Sequence, residues 1–174
     1  MLCVLVGLLA PLCVAADDFK LEEGFVLIFN GKNLDGWKTK AGEVQDGKTE
    51  AYNGRFKVAE GNLVVDVKVK GDVNLSTTKE FGKDAHLKFD YMPGAGCNND
   101  LFFYGTKFDL KKGDVKNIKE GEWNAFEIIV QGGKAEFKNN GESLKTMPVK
   151  AEKSGLGIRA EFGAIQFRHL RVKG

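Results

Sequence analysis

The sequence predicts an all-β fold, an antiparallel β-sandwich or jelly roll. Apolar and polar residues alternate at period two nearly everywhere after residue 50, the spacing of half-buried strands. Turn signals built on Gly and Asn recur about every 8 to 12 residues, a rhythm typical of sandwiches and barrels. No stretch carries a convincing amphipathic helical period.

Taken in order, residues 25–29 read as an apolar strand, followed by a polar loop turned by Gly31 and Gly36. Trp37 then folds back as a lid on the end of the sandwich. Strands are expected over 63–69, 87–91, 125–130, 135–137 and 164–172. Between them stand Gly61-Asn62, Gly71-Asp72, Pro93 to Gly96, Gly113-Asp114, Gly132-Gly133 and Asn140-Gly141, where Gly or Asn can take positive φ. Lys145 to Ser154, rich in Lys and interrupted by Pro148, is expected to be a surface loop. Asn74-Leu75-Ser76 forms a glycosylation sequon. Asp35-Gly36 and Asp46-Gly47 are turn signals before they are oxygen ligands for a cation.

Composition narrows the function. The chain has 174 residues, 26 Lys+Arg against 24 Asp+Glu, 43% apolar residues and 13 Phe. A net charge of +2 spread evenly gives no basic stripe for nucleic acid. The apolar content suits a packed domain rather than a disordered chain. Residues 1–16 carry no charge and end Val14-Ala15-Ala16, as a secretory signal peptide does before its cleavage site, although no Lys or Arg precedes the apolar run. The segment is too short for a membrane span, which needs about 20 apolar residues. A lipid-attachment reading at Cys13 meets a bulky Leu12 where a small residue is wanted. Residues 17–174 are then expected to form one domain, secreted or periplasmic.

Cys3 and Cys13 leave with the leader, so Cys97 is a single thiol without an internal disulfide partner. It reads as a small residue in a Gly-rich turn rather than a nucleophile. His86 and His169 stand in strand-like contexts without a Cys-His signature, and one Cys with two isolated His shows no zinc-ligand spacing. No cofactor and no metal site are expected.

Several blocks carry a family resemblance. Residues 25–38, FVLIFNGKNLDGWK, resemble the opening "LFNGKDLSGW" of the 3-keto-disaccharide hydrolase-like family, long called a domain of unknown function. Residues 56–63 (FKVAEGNL), 75–81 (LSTTKEF), 121–124 (GEWN), the Asn140-Gly141 turn and 165–173 (IQFRHLRVK) follow in that family's order. The resemblance implies a concanavalin-like (laminin-G-like) jelly roll. It also implies action on glycosides whose sugar is oxidised to a 3-ketone. There the ketone acidifies the neighbouring C2 hydrogen, a base forms an enolate that expels the anomeric group, and water adds back. Such chemistry needs a base at C2, a cation or donor on the enolate oxygen, and an acid for the leaving oxygen. The paired-carboxylate pattern of ordinary glucanases is absent from the sequence.

The blocks expected to line the concave sheet are substituted. Asn98 keeps the family's first Asn, while Tyr104 stands at its Arg position, Lys107 at a Glu, Asp109 at a Gln, Arg159 at a Gln and Glu161 at a His. Alternation puts Lys107 with Asp109, Arg159 with Glu161, and Lys88 with Asp90 on shared strand faces. If those strands are neighbours, Asp109 or Glu161 could act as base and Lys107 or Arg159 could hold the enolate. Asp90, Asn98 and Tyr104 would bind substrate. The same charges could instead form a satisfied ion-pair network in an abandoned pocket. Phe102 and Phe108 are candidate sugar-stacking rings, and Trp123 reads as core. Two functions follow: a hydrolase-like domain acting on 3-keto-glycosides or related sugars, or a non-catalytic carbohydrate-binding jelly roll. The expected partner in both is a carbohydrate.

Overall fold

The computed structural model describes residues 18–174; the expected leader, with Cys3 and Cys13, lies outside the described residues. Fourteen strands and no helix appear among the described residues, and none of them could form a membrane-spanning helix. In chain order they are β1 (Val26–Leu27), β2 (Trp37–Thr39), β3 (Glu50–Ala51), β4 (Phe56–Ala59), β5 (Asn62–Val65), β6 (Val73–Thr77) and β7 (Ala85–Pro93). There follow β8 (Asn98–Phe103), β9 (Thr106–Leu110), β10 (Asn124–Gln131), β11 (Lys134–Asn139), β12 (Glu142–Pro148), β13 (Gly157–Phe162) and β14 (Ile165–Lys173). Two antiparallel sheets result. The larger runs β12-β11-β10-β7-β14-β5-β4-β3, with β1 also paired to β14, and the smaller runs β2-β6-β13-β8-β9.

The core is the alternate residue set of both sheets. Leu87, Phe89 and Tyr91 of β7, Phe126 and Ile128 of β10, and Phe167 of β14 pack with Leu101 and Phe103 of β8, Phe108 of β9 and Ile158 of β13. Burying these side chains drives the two sheets together, each contributing roughly 1.5–3 kcal/mol. Trp37 is fully buried, its indole N–H donating to the Ile28 carbonyl at 2.9 Å, so the expected lid closes the sandwich end. Phe108 stacks on Phe137 and is core, leaving Phe102 half-buried on the outer face.

Three local expectations change. The strand expected over 63–69 ends at Val65, because the Asp66 carboxylate accepts the Lys68 N–H at 2.8 Å and turns the chain; Val67 is left exposed. The Lys-rich loop expected from 145 is instead the end of edge strand β12 up to Pro148, where the edge tolerates a missing N–H. Its apolar period is hidden by a bulge opposite Phe137/Lys138, which lets Leu144 and Met147, three residues apart, both pack on the core. Trp123 is half-buried just before β10, on the outward parity, with the Arg168 guanidinium 4.1 Å from its ring centre rather than core around it.

Candidate functional site

The outer face of the five-stranded sheet is built by register. Arg159 of β13 lies opposite Asn74 of β6 on one side and Asp100 of β8 on the other, and Asp100 lies opposite Asp109 of β9. One rung across four strands thus reads Asn74, Arg159, Asp100, Asp109. The next reads Ser76, Gly157, Phe102, Lys107. The four residues expected to be catalytic, Lys107, Asp109, Arg159 and Glu161, therefore do share one face. Asn98, two residues before Asp100, shares it too.

The charges there are paired. Arg159 grips Asp72 with two bonds, Nε to Oδ1 at 2.7 Å and Nη2 to Oδ2 at 2.6 Å, and donates to Asp100 Oδ2 at 2.8 Å through Nη1. Its Nη2 also lies 3.3 Å from Glu161 Oε1. Lys107 Nζ sits 2.8 Å from Asp109 and 3.2 Å from Asp100. Asp100 is the hub: its side chain is wholly buried between the two cations, and its Oδ1 has no hydrogen-bond partner among the described residues. The Oδ1 atoms of Asn74 and Asn98 are likewise buried and unpartnered.

These contacts move the titrations outward. The bond to Asp109 raises Lys107 above the usual lysine range, and the bonds to Asp72 and Asp100 raise Arg159. Arg159 in turn holds the Asp72 carboxyl below its ordinary value. Burial pushes Asp109 upward, but the hydrogen bond and charge of Lys107 outweigh it and leave the group lowered. Each of these four shifts runs away from neutral pH.

A groove of about 490 Å³ opens beside the ladder, lined by Arg55, Val67, Lys70, Asp72, Glu161 and Phe162 among others. Phe162 is 65% exposed, an aromatic wall rather than a core residue. A smaller hollow of about 230 Å³ near Lys38, Ser76 and Phe102 lies on the same sheet.

Two expected residues lie elsewhere. Asp90 is on β7, in the other sheet, and faces outward to His169 Nδ1 at 2.8 Å and Arg168 Nε at 3.4 Å; β7 is no neighbour of β8, β9 or β13. Tyr104 occupies the two-residue turn between β8 and β9 at φ 48°, so its ring turns inward, fully buried against Phe103, with its hydroxyl donating to the Gly82 carbonyl. Asp100, Asp72 and Arg55 were not singled out in the sequence. Asp100 was within reach, since strand parity aligns it with Asn98.

A family model described as a 3-keto-alpha-glucoside-1,2-lyase-like domain matches residues 24–118. The chain belongs to this family. The match takes in β1 to β9, including the Asn98–Asp109 half of the ladder, whereas Arg159 and Glu161 lie beyond it. No curated protein matches the sequence. Among solved structures, a protein of Parabacteroides distasonis ATCC 8503 carrying the provisional name glycosyl hydrolase aligns at a TM-score of 0.67 and 20% identity, over 88% of this chain and 97% of that one. The carbohydrate-binding module CBM66 of Bacillus subtilis aligns at 0.55 and 9% identity, over 81% and 97%. The β-glucanase of Bacillus licheniformis aligns at 0.56 and 10%, over 86% and 97%. At these identities the structures establish the jelly-roll fold alone. Membership of the 3-keto-alpha-glucoside-1,2-lyase-like family supports a carbohydrate-related role.

Proposed function

We propose that this domain binds a carbohydrate on the outer face of its five-stranded sheet, without turning it over. The observation that carries this reading is the ladder in which Asp100 is buried between Lys107 and Arg159. A fixed row of charged donors and acceptors suits the hydroxyls of a sugar, and Phe102 and Phe162 flank it as stacking surfaces. Elimination from a 3-keto-glycoside also needs an acid for the leaving oxygen and a base that can take a proton. Lys107 and Arg159 hold their protons more tightly than usual, and Asp72 and Asp109 shed theirs more readily. That pattern fits recognition better than proton transfer.

A catalytic reading is favoured by one observation. Among the described residues, Glu161 makes only the 3.3 Å ion pair with Arg159, accepts no side-chain hydrogen bond, and lines the groove, where a sugar C2 could approach it. Residues 1–16 have the pattern of a secretory leader, which supports a place outside the cytoplasm. Recovery of a chain beginning at Asp17 from medium or periplasm is the check.

The test is retention of the purified domain on glycan columns, run beside release of reducing sugar from 3-keto-disaccharides. Retention without turnover is the expected result. Turnover that disappears in Lys107→Ala or Glu161→Ala would overturn it in favour of a rebuilt active site.

A further inference from the structure

The groove beside the ladder contains a cation that forms no direct ion pair among the described residues, its charge felt only at longer range by Asp72. Arg55 is 4% exposed, and among the described residues its guanidinium makes hydrogen bonds only to main-chain carbonyls, Nη1 to Asp66 at 2.9 Å and Nη2 to Glu161 at 3.2 Å. Its Nε is buried with no partner, and no carboxylate among the described residues lies within ion-pair distance of it. A buried charge left unpaired is costly, so a protein that keeps one usually has an anion to meet it. The nearby carboxylates are committed elsewhere: Asp66 to Lys57 at 2.6 Å, Asp72 to Arg159 at 2.6 Å, and Glu161 to Arg159 at 3.3 Å.

A second cation stands at the rim. Lys70 is exposed, lines the same groove, and forms no ion pair among the described residues. Facing these two are Val67, 52% exposed, and Phe162, 65% exposed. The strand that ends early at Val65 supplies one wall and the turn after β13 supplies the other. Arg55 ties them together by bonding a carbonyl on each side.

We infer that this groove is a subsite for an anionic saccharide, with the pyranose face on Phe162 and a carboxylate or sulfate on Arg55 and Lys70. The inference rests on the carbohydrate-binding reading above and narrows it to acidic sugars. Arg is suited to the floor because its planar fork matches a carboxylate or sulfate, and Lys to the rim because its flexible stem can follow the ligand. An aromatic wall beside two cations that lack ion-pair partners among the described residues also explains why Phe162 is left in solvent.

The experiment is titration calorimetry of the full domain with three oligosaccharides of equal length: a glucuronate-containing one, a sulfated one and a neutral one. Wild type, Lys70→Ala and Arg55→Lys are compared, with thermal melts to verify folding. The expected result is an acidic ligand bound about tenfold or more tightly than the neutral one, an advantage that shrinks with added salt. Lys70→Ala, remote from the core, should remove most of that advantage while leaving neutral binding alone. Which of the two acidic ligands binds identifies the anion. Equal affinity for acidic and neutral ligands, unchanged in Lys70→Ala, overturns the anionic subsite and leaves carbohydrate binding standing. No binding of any of the three overturns both.

Discussion

Asp35 and Asp46 hold each other's turns. Asp35 Oδ1 accepts the N–H of Gly47 and Asp46 Oδ1 accepts the N–H of Gly36, both at 2.7 Å. The exchange gives two carboxylates a structural task. It fixes the polar loop that delivers Leu34 and Trp37, both fully buried, to the end of the sandwich. Asp35→Ala and Asp46→Ala should each destabilise the domain by about 1 kcal/mol, the usual net worth of such bonds. The double variant should cost less than the sum, because either loss slackens the other turn. Urea denaturation of the four proteins measures the coupling, and strict additivity would show that the two turns are held independently.

Asp100 is the residue on which the ladder depends. Its side chain is wholly buried, while those of Lys107 and Arg159 keep 45% and 25% of their surface. Asp100→Ala leaves two cations facing each other over an emptied site, and should cost about 2–4 kcal/mol. Asp100→Leu fills the space but gives neither cation back its shared carboxylate, leaving Lys107 to Asp109 and Arg159 to Asp72 and Glu161, so it should recover only part of that loss. Comparing both variants by chemical denaturation distinguishes charge compensation from packing; full recovery in Asp100→Leu would mean that packing alone matters.

Acid should loosen the first residues of the fold. The bidentate hydrogen bond from Arg171, at 2.5 and 2.9 Å, lowers the Glu22 carboxyl to about 2. A carboxyl depressed in the folded state stabilises it above the unfolded value of 4.5, and that contribution fades as pH falls from there toward about 2. Because Glu22 is partly solvated, screening limits the effect to about 1 kcal/mol. Glu22→Gln should flatten the stability profile in this window and match wild type at its acid end. Melting temperatures taken between pH 5 and 2 test it, and parallel profiles would remove Glu22 from the acid response.

The sheets were readable from residues such as Leu87, Phe89 and Tyr91, whose alternation survives intact in β7. Lys107, Asp109, Arg159 and Glu161 were found together because parity within a strand is local information, while substitution of the family's blocks marked those positions. The hub, Asp100, shares the parity of Asn98, but its place between two cations needed the pairing of β8 with both β9 and β13, which no local pattern carries. Asp90 misled for the same reason: its own strand parity was right, but β7 belongs to the other sheet. Tyr104, expected among the substrate-binding residues, instead forms the hairpin turn with Gly105, at φ 48° and 69°, and a turn that reverses a side chain is not marked by strand parity. Arg55 could not be found at all, since its significance is the absence of a partner, and absence is visible only in three dimensions.

Gly163 links stability to the groove. It adopts φ 78° in the turn between β13 and β14, and a Cβ there would meet the Cys97 Cα at 2.7 Å. The same turn is clamped by Asn99, whose amide donates to the Phe162 carbonyl at 3.0 Å and whose Oδ1 accepts the Glu161 N–H at 3.0 Å. Gly163→Ala combines a left-handed backbone with a clash against main chain, and should cost about 1–3 kcal/mol. Relief of that clash must move either the Cys97 turn or the segment carrying Glu161 and Phe162. Cys97 reports which. In the native protein its thiol is buried, bonded to the Leu110 carbonyl at 3.4 Å, and pushed up to about 11 by burial and the nearby Glu120 carboxylate. It should therefore resist thiol reagents at pH 8 until the domain unfolds. In Gly163→Ala, faster native-state modification would show that the Cys97 side has yielded, with sugar binding preserved. An unreactive thiol with weakened sugar binding would show that the groove wall has moved instead. Wild-type stability together with an inert thiol would mean that the turn absorbs a methyl group without strain, contrary to the packing described.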